Sequence, residues 1–346
     1  MVVSQRRLYL DHAPGERRAV VTLDGAPERL LIARQDDIAV QQVLACVVAR
    51  IRRVEKALNL AFLDLGEGPD AVLPIGSAPK FASEGAFVTV EITAPARGEK
   101  GAAVRLIGPA EGPVRLMTPA PDLESRLQAF APGARIVGGA EAREAADVAE
   151  EAALQIEHPL PGGGRLFIEP TQALTAIDVD VGSAGGDARR AAGRANQEAV
   201  AAAARLLRLK GLGGLVAIDL AGKGHDGPAL SALAKAAFAA DGEGVSIGPV
   251  SRFGVMELVT PRHARPLTEI LLGPGGRPTP LTVALRLLRS IERAAGPGLM
   301  VEAVCAPAAA EIAARFAPAL AARIGPRFQI RPDPLKMDAD VAISTR

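Results

Sequence analysis

Two aspartates interrupt the apolar run Ala173-Leu-Thr-Ala-Ile-Asp-Val-Asp-Val181, and a third sits in Leu215-Val-Ala-Ile-Asp-Leu220. A strand repeats every two residues, so Asp178 and Asp180 share one face, roughly 6.8 Å apart, while Ile177, Val179 and Val181 face the other way. Carboxylates in an apolar run are costly unless they reach solvent or a cation. If the two runs are neighbouring strands, Asp178, Asp180 and Asp219 converge at the carboxyl edge of a sheet, where α/β proteins place ligands. Such an all-oxygen cluster suits Mg²⁺ or Mn²⁺, which would lower the pKa of a bound water and neutralise a phosphate. The alternative is that each aspartate merely ends its strand and caps the next turn.

Charge patterning bears on that choice. Between Arg189 and Lys210 lie Arg189, Arg190, Arg194, Arg205, Arg208 and Lys210 against Glu198 alone, whereas Glu141 to Glu157 holds six acids and only Arg143. The overall balance of 40 basic to 39 acidic residues, which on its face argues against a nucleic-acid binder, therefore hides two opposed blocks. A basic helix between two acid-bearing strands is what a phosphodiester substrate would want, with Arg205, Arg208 and Lys210 among the cations gripping its backbone. A solvated helix face is the other reading.

Two further patterns fail on context. Gly222-Lys-Gly-His-Asp-Gly227 matches the dinucleotide fingerprint, but Asp219 just before it would repel a pyrophosphate, and Asp241 and Glu243 precede the next strand instead of ending it. Gly244-Val-Ser-Ile-Gly248 matches the hydrolase elbow, yet a loop precedes Ser246 and a strand follows, the reverse of what that motif requires.

These residues must be carried by an α/β layer structure. Residues 165–169 and 173–181 read as strands, 188–209 as a Pro-free helix stopped by Gly211, 215–220 as a buried strand and 228–240 as the next helix. Strands at 245–250 and 254–259 follow. Upstream, residues 7–35 alternate like a hairpin, and short β-like runs at 43–54, 59–65, 71–75, 87–95 and 102–107 suggest a small closed barrel of the OB type. Residues 281–344 read as helix, strand, helix and two strands. The two cysteines, Cys46 and Cys305, cannot build a disulfide framework or a four-cysteine zinc site, which fits a reducing compartment. The N-terminus shows no apolar export segment and no run is long enough to span a membrane, so a cytoplasmic location is expected.

The ordered motifs resemble the bacterial ribonuclease E/G endoribonucleases. Ile168 to Asp180 is similar to that family's metal strand, which normally ends I-D-[VI]-N. Asn196-Gln-Glu-Ala resembles its N-L-E-A helix, and Arg205-Leu-Leu-Arg-Leu-Lys-Gly-Leu-Gly-Gly through Asp219 its R-x-L-R-L-R-x-L-G-G turn and second metal strand. Ser251-Arg-Phe-Gly-Val-Met-Glu257 resembles the strand that follows, Ala61-Phe-Leu-Asp-Leu-Gly66 through Pro74 an inserted S1 barrel, and Gly98-Glu-Lys-Gly-Ala102 its basic turn.

The resemblance implies an α/β catalytic core with an inserted S1/OB-type β-barrel and a small C-terminal α+β domain. The division would be an N-terminal β-hairpin segment (1–36), barrel (37–108), shortened linker or sensor remnant (109–158), metal-dependent nuclease core (159–273) and α+β unit (281–346). It implies that Asp178 and Asp219 hold a catalytic Mg²⁺, with Mn²⁺ possible, and that the chain cleaves single-stranded RNA, whether rRNA or mRNA, leaving a 5′-phosphate and a 3′-hydroxyl. Phe62 would stack a base and Lys100 meet a phosphate.

The chain departs from the family in four places. Asp180 stands where the family has an Asn that orients the metal acids, and Val72 where it has a second stacking Phe. The region holding the 5′-end sensor is cut short. The C-P-x-C zinc hinge is replaced after Arg262 by His-Ala-Arg-Pro-Leu-Thr-Glu, so no zinc link is expected and the chain should be a monomer or a simple dimer. A family member whose nuclease site has decayed to RNA binding, and a small-nucleotide phosphate-ester hydrolase, are the other readings.

Overall fold

The computed structural model describes residues 5–76, 83–98, 100–182, 188–337 and 339–346. Three antiparallel strands open the chain: β1 (Arg6–Ala13), β2 (Glu16–Leu23) and β3 (Ala26–Arg34). The next six are β4 (Cys46–Glu55), β5 (Leu60–Asp64), β6 (Ala71–Pro74), β7 (Phe87–Ala94), β8 (Ala103–Pro109) and β9 (Arg115–Thr118). Because β4 pairs with both β5 and β7, the circuit β4-β5-β6-β8-β7 closes into a five-stranded barrel, with β9 added alongside β4. Its filling is the inward half of each alternating strand: Val47, Ile51, Leu63, Leu73, Val90 and Ile92 are all buried.

The stretch 109–158, expected as a shortened linker or sensor remnant, carries folded elements. Beyond β9 come α1 (Leu123–Phe130), β10 (Ile136–Val137) and α2 (Gly139–Leu154). β10 joins the first sheet beside β1, α1 seals that sheet's outer face with Leu123 and Leu127, and α2 packs on its inner face. Pro and Gly punctuate residues 108–139 densely, so the short elements α1 and β10 are defined by their apolar partners in β1 to β3.

The remaining core is built from β11 (Glu157–Pro159), β12 (Arg165–Pro170), β13 (Thr175–Asp180), α3 (Ala188–Lys210), β14 (Gly214–Asp219), α4 (Gly227–Ala237), β15 (Ser246–Val250) and β16 (Val255–Thr260). The sheet order is β11-β12-β13-β14-β16-β15, and only β13 and β14, bridged by α3, run parallel. Period-two alternation turns Leu166, Ile168, Ile177, Val179, Val216, Ile218, Met256 and Leu258 onto α3 and α4. The same core takes Tyr9, Val20 and Leu30 from the first sheet, so the helices lie between two sheets. A short helix α5 (Leu267–Leu271) leads to the last unit: α6 (Pro280–Ala294), β17 (Val301–Cys305), α7 (Pro307–Ile324), β18 (Phe328–Pro332) and β19 (Ala342–Thr345). Cys46 on β4 and Cys305 on β17 are free thiols in separate sheets.

Charge is buried where the layers meet. Arg18 of β2, only 1% exposed, binds Asp11 of β1 at 2.6 Å and Glu150 of α2 at 3.0 Å. Arg286 of α6 meets Glu150 at 2.7 Å, Arg289 bridges Glu150 and Glu16, and Arg34 joins Glu16 to Thr282. Two acids of the block, Asp147 and Glu150, are thus the counter-charge for β2 and α6.

The basic block of α3 is corrected in the same way. Arg205 donates to the Pro27 carbonyl at 2.6 Å, Arg208 to Asp241 at 2.7 Å with Glu28 at 3.2 Å, and the buried Lys210 ammonium to the carbonyls of Ala153 and Gln155. Their expected role as an RNA grip is not supported, because a phosphate could reach them only by breaking these internal pairs. Helical spacing carries these side chains to the first sheet and to the end of α2, and a linear charge count cannot see that. Burial brings the Lys210 ammonium down to about 8.

Two outcomes follow for stability. Arg18→Ala leaves the buried Asp11 without its close cation and takes one of three from Glu150, and is expected to lower stability by about 3–5 kcal/mol in urea titration, with Arg18→Lys restoring only part because an ammonium lacks the planar fork. Burial first, then the charges of Lys210 and Arg205, hold the His158 imidazole down at about 4 against its ordinary 6.5. The unfolded chain therefore binds the proton first. Stability should fall as pH drops from about 6.5 towards 4, by up to about 1.4 kcal/mol per unit, and His158→Gln should flatten that slope in pH-dependent denaturation.

Candidate active site

Asp178 and Asp219 lie directly opposite each other on the parallel pair β13 and β14. In-register residues on adjacent strands sit about 4.8 Å apart between backbones. Both side chains point to the open face of the six-stranded sheet, away from the helices, because their neighbours Ile177, Val179 and Ile218 are buried on the other side. The crossover through α3 makes the two strands parallel and brings their ends into one register at the carboxyl edge. Among the described residues neither carboxylate has a hydrogen bond or ion pair.

Asp180 does not join them as a third ligand. Arg165 of β12 donates to one of its oxygens at 3.0 Å and the Gly182 amide to the other at 2.9 Å. Those contacts, the Gly182 amide foremost, hold its carboxyl below the usual carboxylate range. The expected triad is thus a pair: Asp180 shares a face with Asp178, but antiparallel pairing with β12 sets it directly opposite Arg165.

The pair fits a hard divalent cation. Its donors are all oxygen, neither is engaged elsewhere in the described chain, and the open face leaves room for water and phosphate. Mg²⁺ in particular is commonly held by one or two carboxylates with waters and a substrate phosphate completing its shell. No group of three or more His, Cys, Asp or Glu side chains capable of holding a metal occurs among the described residues.

The loop after Asp219 is tied down by the first residue of the Asn196-Gln-Glu-Ala motif, to which the sequence alone assigned no role. Asn196, in the middle of α3 and 1% exposed, accepts from the Ala221 amide at 2.9 Å and donates to the Ala221 carbonyl at 3.0 Å. Its side chain also lies 3.4 Å from His225 Nδ1. An Asn inside an Ala-rich helix is a poor helix former, and that anomaly is the signal that could have found it. On the far side, the Leu220 amide donates to the Gly254 carbonyl at 3.0 Å, and Val255 of β16 pairs with Asp219. The glycine-rich stretch 222–227 is a turn whose Asp226 caps α4, and Ser246 begins β15 as an ordinary strand residue.

In the barrel, Phe62 is not a core aromatic. It lies on the outer surface of β5, half-buried, under the Arg53 guanidinium at 4.5 Å and paired with Val72 of β6. Lys100 is exposed at the Arg97–Lys100 bridge, and Glu99 of that turn lies outside the described residues. Gly101 lets the turn reach β6, since a Cβ there would fall 1.7 Å from the Asp70 carbonyl oxygen.

Residues 121–263, which contain both aspartates and their supporting loops, match the model of the Ribonuclease E/G family. This stretch is similar to the ribonuclease E/G family. Ribonuclease E of Escherichia coli is 39% identical over 124 residues, 34% of this chain and 12% of that protein. Ribonuclease E of Synechocystis is 33% identical over 132 residues, 37% of this chain and 19% of that protein. Ribonuclease G of Escherichia coli is 30% identical over 153 residues, 41% of this chain and 31% of that protein. The matches thus span under a third of each relative's length. Within the matched segment lie β12 to β16, α3 and α4. The barrel strands β4 to β9 precede it and the unit from α6 onward follows it.

Two unpaired carboxylates facing each other repel when no cation is bound. Asp219→Asn is therefore expected to raise stability by about 0.2–1 kcal/mol in EDTA and to abolish the rise in Tm that Mn²⁺ gives the unaltered protein, both read by thermal denaturation. Asn196→Ala, which strands both polar groups of Ala221, should instead lower stability by about 1–3 kcal/mol.

Proposed function

We propose that this chain is a metal-dependent endoribonuclease acting on single-stranded RNA. The observation that carries the reading is the in-register, unpartnered pair Asp178 and Asp219 on the open edge of a segment similar to the ribonuclease E/G family. Asp178 and Asp219 would hold the divalent ion, Mg²⁺ for preference, which when bound supplies Lewis-acid stabilisation of phosphate charge and acidifies water. The residues of the chain do the rest. Asn196 and the Leu220–Gly254 contact keep the loop beside Asp219 in one conformation, so the carboxylates are oriented before substrate arrives. Arg165 neutralises Asp180, so the substitution for Asn adds a carboxylate without adding a free charge to the pair.

The barrel is read as an S1-type module. Phe62, with Arg53 over one face, offers a stacking surface for a base, and the exposed Lys100 offers a cation for a phosphate. With Val72 beside Phe62 there is one aromatic at this place, so a single stacked base is expected there.

The test is cleavage of a fluorescent unstructured RNA. Cuts should require Mg²⁺ or Mn²⁺, stop with EDTA, and fall by at least about a thousandfold in Asp219→Asn, the scale of losing a group that organises transition-state charge. Salt-sensitive RNA binding without metal-dependent cuts would instead identify a family member that binds RNA but no longer cleaves it.

A further inference from the structure

Phe253 is the most exposed aromatic among the described residues, at 77%, in a chain whose aromatic content is only 3%. It sits on the turn between β15 and β16, and that turn is rigid. The Ser251 amide donates to the Val255 carbonyl at 2.8 Å, and the Ser251 hydroxyl accepts from the amides of Phe253 at 3.3 Å and Val255 at 3.2 Å. Gly254 has φ +86°, and a Cβ on it would come within 2.9 Å of His225 Nε2, so only glycine lets the turn close onto the loop that follows Asp219. The Gly254 carbonyl is the acceptor for Leu220, the residue next to Asp219, and Val255 pairs with Asp219 itself. A water-exposed phenyl ring is thus held immediately beside the carboxylate pair.

One face of the ring is covered by the Arg252 guanidinium, 4.6 Å from its centroid. Arg252 makes no hydrogen bond or ion pair among the described residues, so its charge is available to a ligand. An aromatic with one face free, an unpaired guanidinium on the other and a cation site next to it matches three parts of one nucleotide: base, phosphate and scissile linkage.

We infer that Phe253 and Arg252 form a nucleotide subsite adjoining the Asp178–Asp219 pair, in which a base of single-stranded RNA stacks on the free face of Phe253 and Arg252 holds a neighbouring phosphate. It deepens the nuclease reading and rests on it for the identity of the ligand. The subsite sets the register of the strand over the carboxylates from within the sheet, independently of the barrel.

The chain contains no tryptophan, so Phe253→Trp installs a sole indole reporter on a solvent-exposed turn. Titration with an oligouridylate in EDTA should quench its emission saturably, while a ribose-phosphate oligomer without bases should not. In anisotropy assays Phe253→Ala should weaken RNA binding about 5- to 150-fold, the range for one stacked base, and Phe253→Leu should not restore it. Arg252→Ala should reduce the slope of log K on log salt by about 0.7, one phosphate contact on a single strand. Equal quenching by the base-free oligomer, or unchanged binding by Phe253→Ala, would overturn the subsite. Cleavage of RNA by the unaltered protein with no quenching would overturn the subsite alone. Base-dependent quenching without cleavage would support the subsite and remove the nuclease activity.

Discussion

Arg18 is the residue on which the layers of this protein depend. A guanidinium buried between a sheet and a helix is tolerable only with its charge and its donors satisfied, and Asp11, Asp147 and Glu150 satisfy them from two elements at once. Glu150 in turn accepts from Arg286 and Arg289, so β1, β2, α2 and α6 are bound to one another through a single set of charges. Replacing the whole set with apolar side chains is often neutral for stability, whereas removing one member strands its buried partners. Its main effect is on arrangement: α2 fixes the first sheet, and the first sheet and α3 share the core that backs the six-stranded sheet.

A second set does the same for α3. Glu28 of β3 receives Arg6 and Arg208, and Asp241 receives Arg208 as well. Burial alone would push the Glu28 carboxyl up, but these cations hold it below the usual range. The C-terminal half of α3 is thereby anchored to β3 and to the turn after α4, and its length carries that anchoring to Asn196. Asn196 then holds the loop behind Asp219. Charges that look like a substrate grip in the linear chain therefore act one step removed, by fixing the helix behind the edge that carries Asp178 and Asp219.

The carboxylate pair is the converse case. Asp178 and Asp219 face each other with no hydrogen bond or ion pair to any described residue. The neighbouring turn, with its exposed Phe253, is a second local concession of stability at the same edge. Two unfavourable features placed side by side and braced by tight hydrogen bonds are the physical signature of a site rather than of a surface.

Much of this was legible in the chain itself. Period-two alternation located the barrel strands and β12 to β16, the Pro-free alanine-rich run located α3, and acids breaking apolar runs singled out Asp178 and Asp219. These are local signals, carried by residues within a few positions of each other. What the chain could not reveal depended on long-range partners: that Asp180 answers Arg165, that Arg205, Arg208 and Lys210 turn inward, that Phe62 lies outside the barrel, and that α1 and α2 belong to the first sheet. The direction in which a charge points is set by the element it packs against, often more than a hundred residues away in sequence. The sequence therefore determined which residues could do chemistry, and the tertiary structure alone decided which of them are left free to do it, because burial and pairing are properties of the folded neighbourhood.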